Sequence, residues 1–350
     1  MRILSNRFGE NRLLYWTEQT FGSDDCLPGH RALSAWQRSP QLPLSCCEDN
    51  DAPMTSLPAD SDAYSFTPAD PQQARTLTRE QVESFNSNGY LAPIRIGDDT
   101  EADERCKYFE HLFQLLQEEN DDRDNYGILG YHTRCGGLWD LVTDDRILDV
   151  VSDLIGDNIV CWSSHYFNKL PNDPKSVPLH QDASYWHLDP HETVTCWLAI
   201  DPSTAENACL QVVSGSHLHG HLTWETAQSP HVLEGQRDAL SQVVVDTEQY
   251  GPAIDIELKP GEMSVHSDKT VHGSEANRSQ LRRCGIAIRY CPPHVRPTKP
   301  EWGQNAILCR GQDSFGNFSF VTTRPEGDDM MSWKKYMTLK MLEKMRDAES

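Results

Sequence analysis

The sequence predicts a mainly β fold, a sandwich or jelly roll with flanking helices. Three observations carry that expectation. Short stretches of alternating polarity recur from about Asn158 to Tyr290, broken by Pro, Gly, Asn and Asp. Stretches of helical period precede them, and one follows. The 350 residues are 37% hydrophobic and 9% aromatic, enough apolar surface for a packed core.

Residues 1–75 show no sustained period, and Glu48 to Gln73 is rich in Asp, Pro and Ser, so this part reads as a flexible or loosely packed appendage. Thr78 then offers a hydroxyl N-cap with Gln81 three residues on, a capping box. Val82 and Phe85 give the apolar spacing, Gly89 ends the helix, and Tyr90 to Ile94 forms a first strand. A second helix is expected over Glu101 to Glu119, where Tyr108, Leu112, Leu115 and Leu116 share a face, and a third over Asp145 to Ile155. Strands are expected at Ile159–Trp162, Thr193–Ile200, Ala208–Val213, Ala253–Leu258, Met263–His266 and Arg283–Tyr290. Met330 to Met345 has a helical period and reads as a packing or dimer element, so a homodimer is allowed. The main domain is thus expected over 76–326, with a C-terminal helix in 327–350.

Charge and cysteine usage narrow the class. Acidic residues outnumber basic ones 53 to 31, a net charge of -22, which repels phosphate backbones and anionic lipid surfaces. Nucleic-acid and membrane partners are therefore not expected. The 11 cysteines include no C-x-x-C pair, and no apolar run is long enough for a membrane helix. Free thiols in a cytoplasmic protein are the plain reading.

The chemistry sits in Val177-Pro178-Leu179-His180-Gln181-Asp182. On a strand, residues two apart point to one side, so His180 and Asp182 would present an imidazole and a carboxylate together. His272, in Thr270-Val271-His272-Gly273-Ser274, is the candidate third ligand; His266 competes for that role. Two histidines and one carboxylate leave open positions on a non-haem iron. Arg283 follows His272 by eleven positions on a strand whose alternation puts Arg283, Gly285, Ala287 and Arg289 on one face. Two arginines spaced by small residues look like a pocket wall, and a guanidinium there can hold a carboxylate such as the distal end of 2-oxoglutarate.

With these residues in place, the sequence resembles the phytanoyl-CoA dioxygenase family over roughly Leu77 to Pro325. The matching pieces come in the family's order: Thr78 to Leu91, His180 to Trp186, Thr195 to Asp201, Glu206 to His217, and His272 to Arg283. The resemblance implies a cupin-like double-stranded β-helix that uses Fe(II), 2-oxoglutarate and O2. It implies His180, Asp182 and His272 as metal ligands and Arg283 as the clamp on the cosubstrate. It also implies Trp197, Ser274 and Asn168 beside the cosubstrate. The implied reaction hydroxylates an unactivated C–H of a small-molecule substrate, releasing succinate and CO2. Halogenating relatives need a small residue where Asp182 stands, so the carboxylate points to oxygenation. Ala208 and Ser214 depart from the family's glycine and proline at two turns.

Tyr185, Trp186, His187 and Arg289 are the candidates for substrate contact; core packing, a solvated loop or an ion pair are their alternatives. His217, His219 and His221 alternate but follow a turn signal and read as a loop, not a second metal site. A non-catalytic binding protein on the same fold, or a metal oxygenase without 2-oxoglutarate, are the competing functions.

Overall fold

A computed structural model describes residues 64–227 and 242–349 of the chain. Its helices are α1 (Arg79–Asn88), α2 (Asp99–Glu118), α3 (Gly136–Val142), α4 (Asp145–Ile155) and α5 (Trp333–Glu349). Its strands begin with β1 (Tyr90–Arg95), β2 (Ile159–Lys169), β3 (Val177–His180), β4 (Leu188–Asp189) and β5 (Val194–Ala199). They continue with β6 (Leu210–Val213), β7 (Trp224–Thr226), β8 (Gln242–Val244), β9 (Ala253–Ile256) and β10 (Glu262–Ser267). The last are β11 (His272–Ser274), β12 (Arg283–Cys291), β13 (Arg296–Pro297) and β14 (Ile307–Arg310).

Ten of these strands form two antiparallel sheets. The larger has the order β1-β10-β5-β12-β2-β14, and the smaller β3-β11-β6-β9. Trp197, Ala199 and Ala287 of the larger sheet pack on Leu210, Val212 and Ile256 of the smaller, so the two faces close on each other as in a jelly roll. The other face of the larger sheet is covered by helices. Phe85, Phe109, Leu112, Leu148 and Val151 meet Cys196, Leu198, Ile286 and Ile288 there. Each fully buried side chain of this size stabilises the fold by roughly 1.5–3 kcal/mol.

Local signals explain the element ends. Thr78 and Gln81 exchange both capping-box hydrogen bonds, and Gly89 closes α1 in the left-handed region with φ 79. The second helix starts earlier than its apolar period suggests, because Asp98 caps it and Glu101 returns the bond. β2 runs well past the expected Trp162, since its later residues pair with β12 along most of their length. α3 and β3 are too short to carry a period of their own. Part of the stretch expected as an appendage packs on the domain: Tyr64 is buried and donates to Ala183 O, and Asp153 accepts from the backbone N–H groups of Arg75, Thr76 and Leu77. The remainder of 1–75 lies outside the described residues. No described helix is long and apolar enough to cross a membrane.

Candidate metal and cosubstrate site

The smaller sheet supplies the histidines. His272 opens β11 and is paired in register with His180, the last residue of β3. Gly273 makes that pairing close: a Cβ there would stand 2.6 Å from Val177 O. Asp182 arrives differently from the sequence expectation. It does not continue the strand; β3 ends at His180, and Asp182 begins a single 3-10 turn over Asp182–Ser184. The reason is Gln181, whose buried side chain donates to Gly220 O and Lys269 O and accepts from Leu222 N–H. That anchorage bends the chain, and the turn rather than the pleat brings the carboxylate beside the imidazoles.

The three ligand atoms lie within 4.8 Å of one another. His180 Nε2 is 3.4 Å from Asp182 Oδ1, and His272 Nε2 is 3.7 Å from Asp182 Oδ2. Each histidine donates Nδ1–H to a carbonyl two residues back, His180 to Pro178 O at 2.7 Å and His272 to Thr270 O at 2.9 Å. Those bonds fix the tautomer that turns the Nε2 lone pair toward the shared centre. Burial holds His272 down at about 4, and the two imidazoles hold the buried Asp182 well below the usual carboxylate range against its own desolvation. Neutral histidines beside an ionised carboxylate are the donor set a divalent metal requires. No other group of His, Cys, Asp or Glu with metal-holding geometry occurs among the described residues. His266 is not a member; its ring packs 4.3 Å from that of His272, and its nitrogens are buried without partners.

One cavity extends from the triad between the two sheets, past Trp197 and Ser274 to Arg283. Arg283 is 2% exposed. Its Nε donates to Ala208 O at 2.9 Å, and one terminal nitrogen donates to Ser274 Oγ at 3.3 Å. Its guanidinium lies 5.5 Å from the centre of the Trp197 ring. Gly285 makes room for that ring, since a Cβ there would fall 2.1 Å from Trp197 Cζ2. Ala208 sits at φ 67, the conformation glycine would adopt, so the replaced residue keeps the turn and aims its carbonyl at Arg283. Among the described residues no carboxylate forms an ion pair with Arg283.

Lys169 was not singled out by the sequence, yet it is fully buried and pairs in register with Arg283. Its ammonium donates to Ser274 Oγ at 2.9 Å, to Ser274 O at 3.4 Å and to Glu275 O. Ser274 Oγ therefore accepts from both Lys169 and Arg283, which leaves its own O–H to donate into the cavity. A lysine just before a turn in a mainly β segment is ordinarily a surface residue, so no sequence signal marked it. Asn168 lies elsewhere. Strand alternation sets it with Tyr166, opposite Cys284, on the helix-covered side; it does not line the cavity.

A second cavity shares Phe167, Asp182 and Arg289 with the first and is lined further by Trp162, Tyr185, Trp186, Trp302 and His165, among others. Tyr185 donates to Asp182 Oδ1 at 3.3 Å and stacks on His180. Trp186 packs edge-on against Trp162. His187 does not line it; its ring packs edge-on against Trp302. Asp189 is taken by Arg296, and His191 packs beside Tyr64. Of the loop histidines, buried His217 bonds to Asn86 O, while His219 and His221 pack on Tyr250 and Tyr64.

Comparison with known proteins agrees with this arrangement. Residues 85–285 match the family model described as phytanoyl-CoA dioxygenase (PhyH). A probable phytanoyl-CoA dioxygenase of Caenorhabditis elegans is 32% identical over 151 residues, which are 41% of this chain and 47% of that protein. The peroxisomal phytanoyl-CoA dioxygenase of Homo sapiens is 26% identical over 162 residues, 44% of this chain and 45% of that one. The chain thus spans about half the length of these curated relatives. Among solved structures, the apo form of the non-heme monooxygenase ThoJ superposes with a TM-score of 0.59 at 26% identity, covering 73% of this chain and 93% of that one.

Proposed function

The chain belongs to the phytanoyl-CoA dioxygenase family, whose model spans more than half of its length, and from that premise we propose that it is an Fe(II)- and 2-oxoglutarate-dependent dioxygenase hydroxylating an unactivated C–H of a small-molecule metabolite. The observation that carries this reading is the adjacency of the His180–Asp182–His272 cluster to a cavity that reaches buried Arg283, which has no carboxylate partner among the described residues. A metal site alone would need no such cation. Iron(II) with 2-oxoglutarate supplies the oxidation of a C–H bond by O2, giving the alcohol, succinate and CO2.

The protein's residues do the rest. His180, Asp182 and His272 would hold the metal through two imidazoles and one carboxylate. Arg283 and the Ser274 hydroxyl receive the distal carboxylate of the cosubstrate, and Trp197 walls the channel. Tyr185 holds Asp182 through its hydroxyl, so the carboxylate keeps its orientation. The second cavity takes the substrate, with Tyr185, Trp186 and Arg289 on its walls. The described cysteines are all unpaired, which suits a reducing compartment such as the cytoplasm.

The test is an anaerobic titration of the protein with Fe(II) and 2-oxoglutarate, watching for the visible metal-to-ligand charge-transfer band. The expected result is one equivalent of chromophore. Bound iron and an intact fold without the band would reject 2-oxoglutarate as cosubstrate. A band without succinate release across a broad substrate panel would favour a binding protein.

A further inference from the structure

The other buried or half-buried arginines of the domain have carboxylate partners: Arg105 with Asp144, Arg123 with Asp121, Arg134 with Asp329, Arg282 with Asp201 and Arg310 with Asp145. Two arginines lack one among the described residues, and both stand on the same face of β12. Arg283 is accounted for by the cosubstrate. Arg289 is not. Its one hydrogen bond runs from a terminal nitrogen to Ser163 Oγ at 3.3 Å, and its buried Nε has no partner. Its guanidinium lies 5.2 Å from the centre of the Trp186 ring.

The surroundings offer this cation nothing negative except Asp182, which a bound metal would claim. Of the two cavities it lines, the indole-walled one is otherwise lined by neutral groups, and the other carries the second cation, Arg283. His165 stays neutral because burial lowers it to about 3, and its Nε2 is held by Tyr126 O. A second donor is also unmatched: Trp162 Nε1 is buried without a partner. The backbone contributes to this. β12 and β2 pair regularly up to Arg289↔Ser163, and then Tyr290 pairs with Cys161, so Trp162 is an extra, bulged residue. The bulge lets both Trp162 and Ser163 line the cavity, where strict alternation would have sent one of them to the core. Bulges of this kind re-aim side chains beside functional sites.

We infer that the substrate is a carboxylate with a flat apolar body, its anionic group held by Arg289 and its body among Trp162, Trp186 and Trp302. The inference rests on the metal site proposed above for its chemistry. It places one anion at each end of β12, the cosubstrate at Arg283 and the substrate at Arg289, with the metal between. An unpaired, partly desolvated guanidinium is costly, and a charge-assisted pair with a ligand offsets that cost. The three indole rings supply apolar area but no partner for a cation other than their faces.

The experiment uses the full chain, anaerobically loaded with Fe(II) and 2-oxoglutarate, and reads binding by calorimetry. The probes are indole-3-propanoate, its primary amide and the matching amine, tryptamine. The expected order is carboxylate tighter than amide by about tenfold or more, with the amine weakest. In Arg289→Gln the preference for carboxylate over amide should vanish while the affinity for 2-oxoglutarate stays within about threefold. Arg289→Lys keeps the charge and should retain the preference in weakened form; it serves where the glutamine variant does not fold. Equal binding of acid and amide, no binding of either, or a preference that survives Arg289→Gln would overturn the inference. So would a tenfold loss of 2-oxoglutarate affinity in that variant, because the guanidinium would then serve the cosubstrate. Calorimetry needs no turnover, so this outcome is separate from whether the charge-transfer band forms.

Discussion

Replacing Arg283 by methionine tests the cosubstrate site most directly, because the variant keeps much of the side-chain stem and removes only the charged fork. In the wild type two contacts fix that fork, Nε to Ala208 O at 2.9 Å and a terminal nitrogen to Ser274 Oγ at 3.3 Å. The remaining N–H groups face the cavity, and burial already disfavours their charge. Removing one partner of a buried, hydrogen-bonded charge pair costs about 2–5 kcal/mol. At 1.4 kcal/mol per decade, a mid-range loss of ~3 kcal/mol raises the 2-oxoglutarate Kd by roughly a hundredfold. Metal affinity should hold, since Arg283 touches none of the three ligands. Stability without ligand should hold or rise, because an unpaired buried cation gives way to an apolar side chain. Kd is read from the charge-transfer band under anaerobic titration, metal affinity by competition with a chelator, and stability from urea denaturation. A Kd within threefold of wild type, in a folded variant with normal metal binding, would refute the assignment of the clamp. A parallel loss of metal affinity would show instead that the change had spread through the sheet.

Other outcomes follow from neighbouring contacts. Lys169→Met should weaken 2-oxoglutarate about tenfold with metal binding unchanged, and Ser274→Ala should do much the same, since the second removes the hydroxyl donor and the first the group that orients it. The double variant should then be little worse than either single; full additivity would count against the shared role. Gly285→Ala would set a methyl 2.1 Å from Trp197 Cζ2, so overpacking should cost ~1–3 kcal/mol in urea denaturation and also weaken the cosubstrate. Unchanged stability would mean that the indole is not held by that contact. His132 is buried, bonds to Ser164 Oγ and Asn305 O, and is lowered by desolvation from 6.5 to about 4. The unfolded chain therefore binds the extra proton between these values, and stability should fall as pH drops from 6.5 toward 4, by up to ~1.4 kcal/mol per pH unit. His132→Gln should remove only its own share of that slope, because His165 and His217, lowered to about 3 and about 4, act over the same range; identical slopes in the two proteins would refute the assignment.

Most of the fold was legible where a local rule is strong. The Thr78–Gln81 capping box, the Gly89 stop and the alternation of β12 all read directly from residue type and spacing. The metal ligands were legible as residues but not as geometry. The H-x-D spacing suggested a pleat, whereas the chain turns at Asp182 because Gln181 is tied to Gly220, Lys269 and Leu222. Contacts 39 to 88 residues away in sequence leave no local trace. Lys169 was hidden for the same reason: its partners lie more than a hundred positions on, and nothing in its own segment distinguishes a buried ammonium from a solvated one. Asn168 shows the converse. It is one residue from Lys169, and parity alone turns it to the helix-covered face. The bulge at Trp162 was also invisible, because an extra residue in one strand is defined only against its partner.

That bulge bears on how the two ends of β12 are kept distinct. Its inward residues are Arg283, Gly285, Ala287 and Arg289, and its outward residues Cys284, Ile286, Ile288 and Tyr290 belong to the main core. A slip of one residue would exchange the two sets, burying guanidinium groups among the helices and turning isoleucines to the cavity. Pairing with β2 from Arg283 to Arg289, joined by β5 from Gly285 onward, makes that slip costly. The register breaks only after Arg289, where Trp162 is inserted. The Arg283 end therefore has a regular frame, as a fixed cosubstrate requires. The Arg289 end carries the local twist and the aromatic lining, so changes of ligand preference should concentrate at Trp162, Trp186 and Trp302 without disturbing the clamp.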